Sequence, residues 1–337
     1  MKHIYIILIL LILRVVAFSQ DIHFSQFNAS PLNLNSALTG VFDADYRLAL
    51  NHKNQWSAVT TPYKTFSGSI DSKLSKYKYK NGVFGAGLLL NTDKAGDGDF
   101  GTVQVGLNLA YHYPLLADST MVLSAGLAGT YNQISINYNK LNFNNQFDGG
   151  QYNSTLPSGE VFPTDQFSFF DVSLGANLYY LYRATYPVNI GVSWWHINRP
   201  ERSFFENSSV KLNQKLNLNI GTTIEITENT SVSPSFLYMQ QGKFHEFDLG
   251  GYVKTTVDNI SVQTIYLGAW LRTRDAAIIM GGFDYKNARI GVSYDFNTSK
   301  LDVASGGRGG LELSLIYLIS NGKSYKVPYY KQCPTFM

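Results

Sequence analysis

Apolar and polar residues alternate strictly over unusually long stretches of this 337-residue chain. Within residues 216–226, every second residue is Leu, Ile or Thr, and the residues between them are Asn, Gly, Thr and Glu. The same alternation runs through residues 104–113, 121–131 and 172–182. A two-residue period places the apolar side chains on one face of a β-strand, whereas a helix would scatter them around its axis. The chain is therefore predicted to be an all-β protein.

The alternating stretches predict about fourteen strands, with no long helix between them and no break that marks a second folded domain. The predicted spans are 44–52, 65–71, 82–91, 99–113, 119–132, 168–183, 187–196, 211–226, 230–240, 244–255, 260–272, 275–285, 288–297 and 309–319.

These strands favour a transmembrane antiparallel β-barrel of the outer-membrane type. Several reach ten or more residues, whereas strands of soluble sheets usually have about 5–6 and tilted membrane-spanning strands need about 9–11. One face of each is apolar and the other carries Asn, Gln, Ser, Thr and Gly, with few charges such as Asp171 and Glu225, which suits a lipid-facing wall around a wet lumen. A secreted β-sandwich or jelly roll is the alternative. Aromatic residues near strand ends, including Trp194, Trp195, Trp270 and Tyr317, predict interfacial girdles.

The amino terminus has the features of a secretory signal peptide. Lys2 precedes the apolar run 4–13, and Ala17-Phe18-Ser19 fits a cleavage site. Its removal would leave 25 basic and 24 acidic residues, a net charge of +1. We expect a signal peptide at 1–19, a plug or periplasmic segment at 20–43, the barrel at 44–319 and a periplasmic tail at 320–337. The predicted localisation is the bacterial outer membrane.

The longer predicted connections fall on one side of the barrel, as expected for outer loops opposite short periplasmic turns. The exception is a predicted periplasmic turn at 72–81, which contains Lys73, Lys76, Lys78 and Lys80. This basic run is either a solvated turn or a docking surface for an acidic periplasmic partner.

A search for catalytic and cofactor motifs is negative. The six histidines have no metal-ligand spacing, and neither a Gly-x-Ser-x-Gly elbow nor a phosphate-binding loop is present. The oxygen-rich run 93–99 lacks the closing Glu of a calcium loop, and Cys333 has no second cysteine to pair with. A net charge of +3 is too small for a dedicated nucleic-acid binder. We therefore expect no enzyme activity, no cofactor and no nucleic-acid partner.

Partner binding is expected on the outer loops, where aromatic residues and arginines are the usual interface anchors. The alternative is that these side chains pack the loops together, or that the arginines contact lipopolysaccharide. The candidates are Trp56, Tyr63, Tyr138, Phe143, Phe147, Tyr152, Trp195, Arg199, Arg202, Phe204 and Phe205.

Both ends of the chain carry short motifs that resemble one family. The first is His23-Phe24-Ser25-Gln26-Phe27, followed by Pro31 and Asn35; the second is Asn54-Gln55-Trp56; the last is Cys333-Pro334-Thr335-Phe336. These motifs resemble the PorP/SprF family, and between them the chain matches only in its barrel pattern.

The resemblance implies an outer-membrane barrel of the type IX secretion and gliding apparatus. Such proteins are expected to bind a large surface adhesin or other cargo through its carboxyl-terminal domain and to support its export or anchoring. Some members are instead tied to periplasmic components of the apparatus, including lipoproteins. Two alternatives remain open at this point: a linker to the periplasmic machine, and a porin or solute transporter.

Overall fold

The computed structural model describes residues 21–55, 61–79, 82–116, 118–183, 186–205, 210–257, 262–299 and 305–320. The predicted signal peptide, Trp56 and the predicted tail beyond residue 320, with Cys333, Pro334 and Phe336, lie outside these residues.

The described chain is almost entirely β-structure. The strands are β1 Tyr46–Gln55, β2 Tyr63–Tyr79, β3 Gly82–Ala95, β4 Phe100–Pro114, β5 Met121–Ser135, β6 Gln166–Tyr182, β7 Tyr186–Trp195, β8 Lys215–Thr222, β9 Ile224–Glu225, β10 Thr230–Gln241, β11 Phe244–Thr256, β12 Val262–Arg272, β13 Ala276–Tyr285, β14 Ala288–Asn297 and β15 Arg308–Ile319.

The strands close into one antiparallel barrel. Each pairs with its neighbours along the sequence, and β15 pairs with β1 along its whole length, from Tyr46 opposite Ile319 to Gln55 opposite Gly310. β8 and β9 both pair with β10 and are two pieces of one wall strand, interrupted at Thr223. The wall therefore has fourteen strands, and the predicted fold class is confirmed.

Strand β4 shows how the alternation sorts residues between the two faces of the wall. Leu107 is 65% exposed and Leu109 57%, while Asn108 between them is 1% exposed. The large apolar side chains thus face outward, where lipid covers them, and the polar ones face the lumen. No helix among the described residues is long and apolar enough to cross a membrane.

The two ends of the barrel differ in the length of their connections. At one end they include 136–165, 196–214 and 298–307, while at the other they span two to six residues. Because outer loops are the long ones in such barrels, the first end is the outer face. Residues 21–43 precede β1, which starts at the opposite, periplasmic end.

Two local predictions are wrong. The basic run 72–81 is not a turn, since β2 continues to Tyr79 and only residues 80–81 separate it from β3. A register shift between Leu74 and Lys78 interrupts the alternation there, which hides the strand from a period-two analysis. Trp195 and Trp270 are not girdle residues: both are only 6% exposed, and their indole N–H groups donate to lumenal Ser193 and Ser235.

Candidate functional site

The segment before β1 lies in the lumen of the barrel. It consists of short helical turns, Phe27–Ala29, Pro31–Leu34 and Ser36–Leu38. Pro31 starts the middle turn, where its missing N–H costs nothing, and the Asn35 side chain accepts from the backbone N–H of Ala37 to cap the last turn. Asn35, Ala37 and Leu38 are fully buried although the segment is short, because the barrel wall surrounds them. We call residues 21–43 the plug.

The wall accommodates the plug through glycines and through an apolar patch. A Cβ on Gly126 of β5 would collide with the backbone of Ser36 and Ala37, and one on Gly85 of β3 with the Thr39 carbonyl. On the opposite side, plug residues Phe27, Leu34 and Leu38 form one core cluster with wall residues of β10 to β13. Its wall members are Leu237, Tyr252, Tyr266, Trp270, Ala276 and Ile278. The lumen is therefore packed on this side like a protein core.

The lower end of the plug is held by a buried ion pair. The Arg47 guanidinium donates to both oxygens of Asp71, at 2.9 and 2.7 Å, and also to the Leu38 carbonyl at 3.0 Å. Asp71 in turn accepts from the backbone N–H of Gly40 at 2.7 Å. Both charged side chains are at most 1% exposed, so the pair ties the plug to β1 and β2 away from water.

The middle of the plug crosses the closing seam of the barrel. The backbone N–H groups of Ser25 and Gln26 donate to the Glu312 carboxylate of β15, at 2.8 and 3.0 Å. The Gln26 side chain reaches Ser293 of β14 and, through its oxygen, Ser314 of β15. The first family motif therefore binds the last two strands.

Next to this seam lies a buried cluster of charges. Arg272 contacts the carboxylates of Glu246, Asp248, Asp275 and Asp295 at 3.1–3.3 Å. Lys53 of β1 lies 3.4 Å from Asp295 and 3.1 Å from the Ser25 hydroxyl. These groups connect the plug with β1, β11, β12 and β14.

The lumen thus holds more charge than the sequence analysis predicts. Arg47, Lys53, Arg272, Asp295 and Glu312 are all at most 2% exposed. A signal was present, because Glu312 stands between Leu311 and Leu313, so an inward charge in an otherwise apolar strand requires a partner inside the barrel. Asp171 is lumenal as predicted, whereas Glu225 is an exposed residue at a strand end.

The upper end of the plug is tied to the loop after β7. His196 contacts Asp171 through Nδ1 at 2.8 Å and Asp21 through Nε2 at 2.5 Å. Burial alone would lower the pKa of His196, but the two carboxylates outweigh it and raise the pKa to about 9. Burial would raise the pKa of Asp21, but His196, Lys215 and Gln241 hold it far below its usual value. We call Asp21, His196 and Asp171 the upper latch.

His112 is a satisfied lumenal residue of the wall. Its Nε2 lies 2.8 Å from the Thr39 carbonyl, which can only accept, so this nitrogen carries the proton. Its Nδ1 then accepts from the Ser124 hydroxyl at 2.7 Å. In the run 93–99, Asp93 accepts from Thr65 and Asp99 pairs with Lys140, so the acidic side chains engage different partners. Among the described residues no group of three His, Cys, Asp or Glu side chains is arranged to hold a metal.

Several of the predicted loop contacts pack against one another. Tyr138 stacks on Phe162 at 3.7 Å between ring centroids, and Phe204 packs edge-on against Phe167. Phe143 also contacts Phe162. Tyr138 also packs edge-on against Phe204, with ring centroids 6.5 Å apart. Aromatic contacts therefore join the loop 136–165 to residue 204 of the loop after β7.

Other predicted contacts remain at the surface of the outer end. Phe147 is 57% exposed, Tyr152 44% and Phe205 62%. Arg199 is exposed, and Tyr63 and Arg202 are half-buried. Trp195 is buried in the lumen, so its placement among exposed loop contacts is wrong. Of the family motifs, His23, Phe24, Ser25, Gln26, Phe27, Pro31 and Asn35 belong to the plug, and Asn54 and Gln55 end β1.

Two cavities open above the plug. One, of about 100 Å³, lies on the side of β3 to β8 and includes Asp21, Gln104, His196 and Arg202 in its lining. The other, of about 470 Å³, lies between the ends of β1, β11, β13 and β15 and includes Glu246, Arg274 and Asp295. The plug thus leaves space at the outer mouth while filling the lumen below it.

A closed fourteen-stranded wall with lipid-facing Leu and Val defines an outer-membrane β-barrel, and the buried segment 21–43 makes it a plugged one. The profile of the family described as "Type IX secretion system membrane protein PorP/SprF" matches residues 16–317. The chain therefore belongs to the PorP/SprF family. The match covers most of the chain, including the middle, for which the sequence analysis identifies no family motif.

Solved structures of similar fold include a channel and two transporters. The CymD monoaromatic hydrocarbon channel is 10% identical with a TM-score of 0.50, covering 87% of this chain and 93% of its own. The Ralstonia pickettii toluene transporter TbuX is 11% identical with a TM-score of 0.49, covering 86% and 92%. The Pseudomonas putida toluene transporter TodX is 12% identical with a TM-score of 0.47, covering 89% and 94%. No curated protein matches the chain. At such identities the likeness concerns the fold alone.

Proposed function

We propose that this barrel holds a large secreted adhesin or other cargo at the cell surface, by the cargo's carboxyl-terminal domain, and supports its export or anchoring. Membership of the PorP/SprF family, a type IX secretion family, supports the setting. The observation that carries the proposal is the plug. A lumen crossed by buried ion pairs and a core cluster suits a protein that binds its cargo at the surface better than a channel that lets solutes through.

The outer face supplies a surface of suitable chemistry. Phe147, Tyr152 and Phe205 project from the two long loops, and an edge-on contact between Tyr138 and Phe204 joins those loops. Exposed aromatic side chains on a rigid support are typical anchors of protein interfaces. We call these three residues the outer aromatic patch and assign it to cargo contact.

The direct test is gentle purification of the tagged protein from native outer membranes, followed by mass spectrometry. We expect a large surface protein in near-equal amount. Replacing the outer aromatic patch, Phe147→Ser, Tyr152→Ser and Phe205→Ser together, should abolish this recovery while the barrel remains folded. The matched control is Leu115→Ser with Leu116→Ser, because these leucines are 45% and 46% exposed but lie on a periplasmic turn.

Each alternative makes a different prediction in the same experiment. Recovery of periplasmic lipoproteins without a surface protein would move the function to the periplasmic side of the barrel, where Lys73 lies in the last part of β2. A clean monomer that conducts ions in planar bilayers would contradict both readings and leave a porin. Unchanged recovery from the patch variant would contradict the assigned surface.

A further inference from the structure

The smaller outer cavity lies directly above the plug and beneath the two long loops. Its volume of about 100 Å³ exceeds the space that a single water needs and admits a small group such as a carboxylate. Asp21 and Ile22 of the plug form part of its lining, with Arg202 of the loop after β7 and Asn91, Gln104 and Asn132 of the wall. The upper latch occupies one side, where His196 and Asp21 satisfy each other.

Arg202 is the exception among the charged groups of this cavity. Its backbone N–H donates to Val210 at 2.8 Å, but its guanidinium makes no hydrogen bond or salt bridge to any residue that the structure describes. The other cations there are engaged: His196 with two carboxylates, and Lys215 3.9 Å from Asp21. One half-buried guanidinium is therefore available to a ligand.

The environment makes this free cation costly. Burial lowers the pKa of Arg202 from its usual value, and the nearby charge of Asp21 offsets this effect in part. A guanidinium that is partly withdrawn from water without gaining an acceptor is unfavourable, and a carboxylate, whose two oxygens match its planar donors, reduces the penalty. An anion with two coplanar oxygens would therefore suit Arg202.

Beside Arg202 the cavity wall is a chain of amides. Asn91 donates to Asn33 at 2.8 Å and accepts from it at 3.3 Å. Asn91 also donates to Gln104 at 2.6 Å, and Gln104 donates to Asn132 at 2.8 Å. Asn91, Gln104 and Asn132 lie opposite one another on β3, β4 and β5. Each amide oxygen has a second lone pair, so the row offers fixed polar positions at the spacing of neighbouring strands, about 4.8 Å. A polypeptide backbone, with its regular donors and acceptors, suits such a row.

The aromatic lining of the cavity does not decide between a peptide and a saccharide. Trp195 is only 6% exposed and donates its indole N–H to Ser193, whereas the rings of Phe100 and Phe169 are half-buried in the same lining. The row of amides therefore carries the preference for a peptide ligand, and an acidic glycan is an outcome of the test.

We propose that this cavity is a binding site for a carboxylate group of an extracellular polypeptide, with Arg202 as the carboxylate-binding residue. The identification of that polypeptide with secreted cargo rests on the proposed function, whereas the site itself does not. Arg202 binds the carboxylate, the amide row binds the adjoining peptide groups, and the upper latch keeps the plug from entering the cavity.

The test uses the purified full chain immobilised in detergent and two N-acetylated random hexapeptide libraries, one with a free carboxyl terminus and one carboxamidated. Retained peptides are quantified by mass spectrometry. We expect about tenfold preferential retention of the free-acid library, the size of one charge-assisted hydrogen-bond pair. Arg202→Met should lose this preference. Arg199→Met, which changes an exposed arginine of the same loop, should keep it.

Folding of each variant is checked by its heat-dependent gel mobility, so loss of retention in a folded Arg202→Met protein is interpretable. If Asp and Glu are enriched among retained carboxamidated peptides, and only when Arg202 is present, the site stands and the carboxylate comes from a side chain. Equal retention of both libraries without such enrichment would overturn the proposal, as would an unchanged preference in Arg202→Met. Retention of oligogalacturonate in place of peptides would overturn the peptide assignment. The recovery of cargo with the wild-type protein from native membranes is a separate measurement. The proposed function and the proposed carboxylate site can therefore fail independently of each other.

Discussion

The ion pair between Arg47 and Asp71 is expected to be a main anchor of the plug, and a double-mutant cycle measures it. Arg47→Met removes the cation but keeps much of its volume, and Asp71→Asn removes the anion while leaving an oxygen to accept from Gly40. The cycle comprises the wild type, the two single variants and the double variant.

The structure sets the expected magnitudes. Both side chains are at most 1% exposed, so Arg47→Met leaves a buried carboxylate without its cation, and we expect the free energy of unfolding to fall by about 3–5 kcal/mol. Asp71→Asn should cost somewhat less, because Arg47 keeps the Leu38 carbonyl. The double variant leaves no unpaired charge and loses only the hydrogen bonds from Arg47 to the plug. We therefore expect its free energy of unfolding to fall by about 1–2 kcal/mol.

The free energy of unfolding is measured by urea titration in lipid vesicles, followed by tryptophan fluorescence and heat-dependent gel mobility. Lys140 and Asp99 provide the control cycle, because their N–O distance is also 2.7 Å but their side chains are 53% and 41% exposed. An exposed pair should contribute at most about 1 kcal/mol.

Two results would refute this reasoning. If Arg47→Met changed the free energy of unfolding no more than Lys140→Met does, burial would not control the strength of these pairs. If the double variant lost the sum of the two single losses, Arg47 and Asp71 would act independently, and their contact would not anchor the plug.

Three further outcomes are expected. Because the pKa of His196 is raised from 6.5 to about 9, its contribution to the upper latch is complete below pH 6.5 and is lost as the pH rises through 9; a nitroxide label at position 22 should gain mobility over that interval, and a label already mobile at pH 6 would contradict the latch. Gln26→Ala removes hydrogen bonds to β14 and β15 and should slow closure of the barrel. During refolding, a larger fraction of the protein should then still run as the unfolded form, whose gel mobility does not change on heating. Asn33→Ala should not slow closure, because the Asn33 side chain bonds to Ser67 and Asn91, away from the seam. The wild-type protein should show no ohmic steps in planar bilayers, and steps of a size typical of open porins would show that the plug does not block the lumen.

The barrel is predictable from the sequence because its cause is local. In β4, the alternation of Leu107, Asn108 and Leu109 is itself the division between lipid and lumen. Fourteen predicted strands correspond to fourteen wall strands for this reason. The error at β2 arises where the two-residue alternation is interrupted. Three extra residues between Leu74 and Lys78 break the period without ending the strand.

The plug contacts are not predictable in the same way, because their partners are distant in sequence. Ser25 and Glu312 are 287 residues apart, and the sequence around either residue does not identify the other as its partner. Trp195 shows the same limit, since a tryptophan at the end of a strand suits either an interfacial girdle or a lumen, and only the parity of β7 in the closed barrel decides. The family motif at 23–27 marks the plug without revealing what it binds.

The distribution of bonds along the plug indicates which parts of the protein are free to act. Its lower end is bonded to β1 and β2, its middle to β14 and β15, and its start to the loop after β7, so moving it as one body would break contacts with three separate parts of the wall. Buried charge pairs lose several kcal/mol when one partner is withdrawn, about 3–5 kcal/mol each, and a ligand shifts such an equilibrium only by its differential affinity for the two states. Opening the lumen from outside would therefore require a very tight ligand, whereas binding at the outer mouth requires no movement of the plug. The guanidinium of Arg202, unpaired among the described residues, and the exposed rings of the outer aromatic patch lie at that mouth.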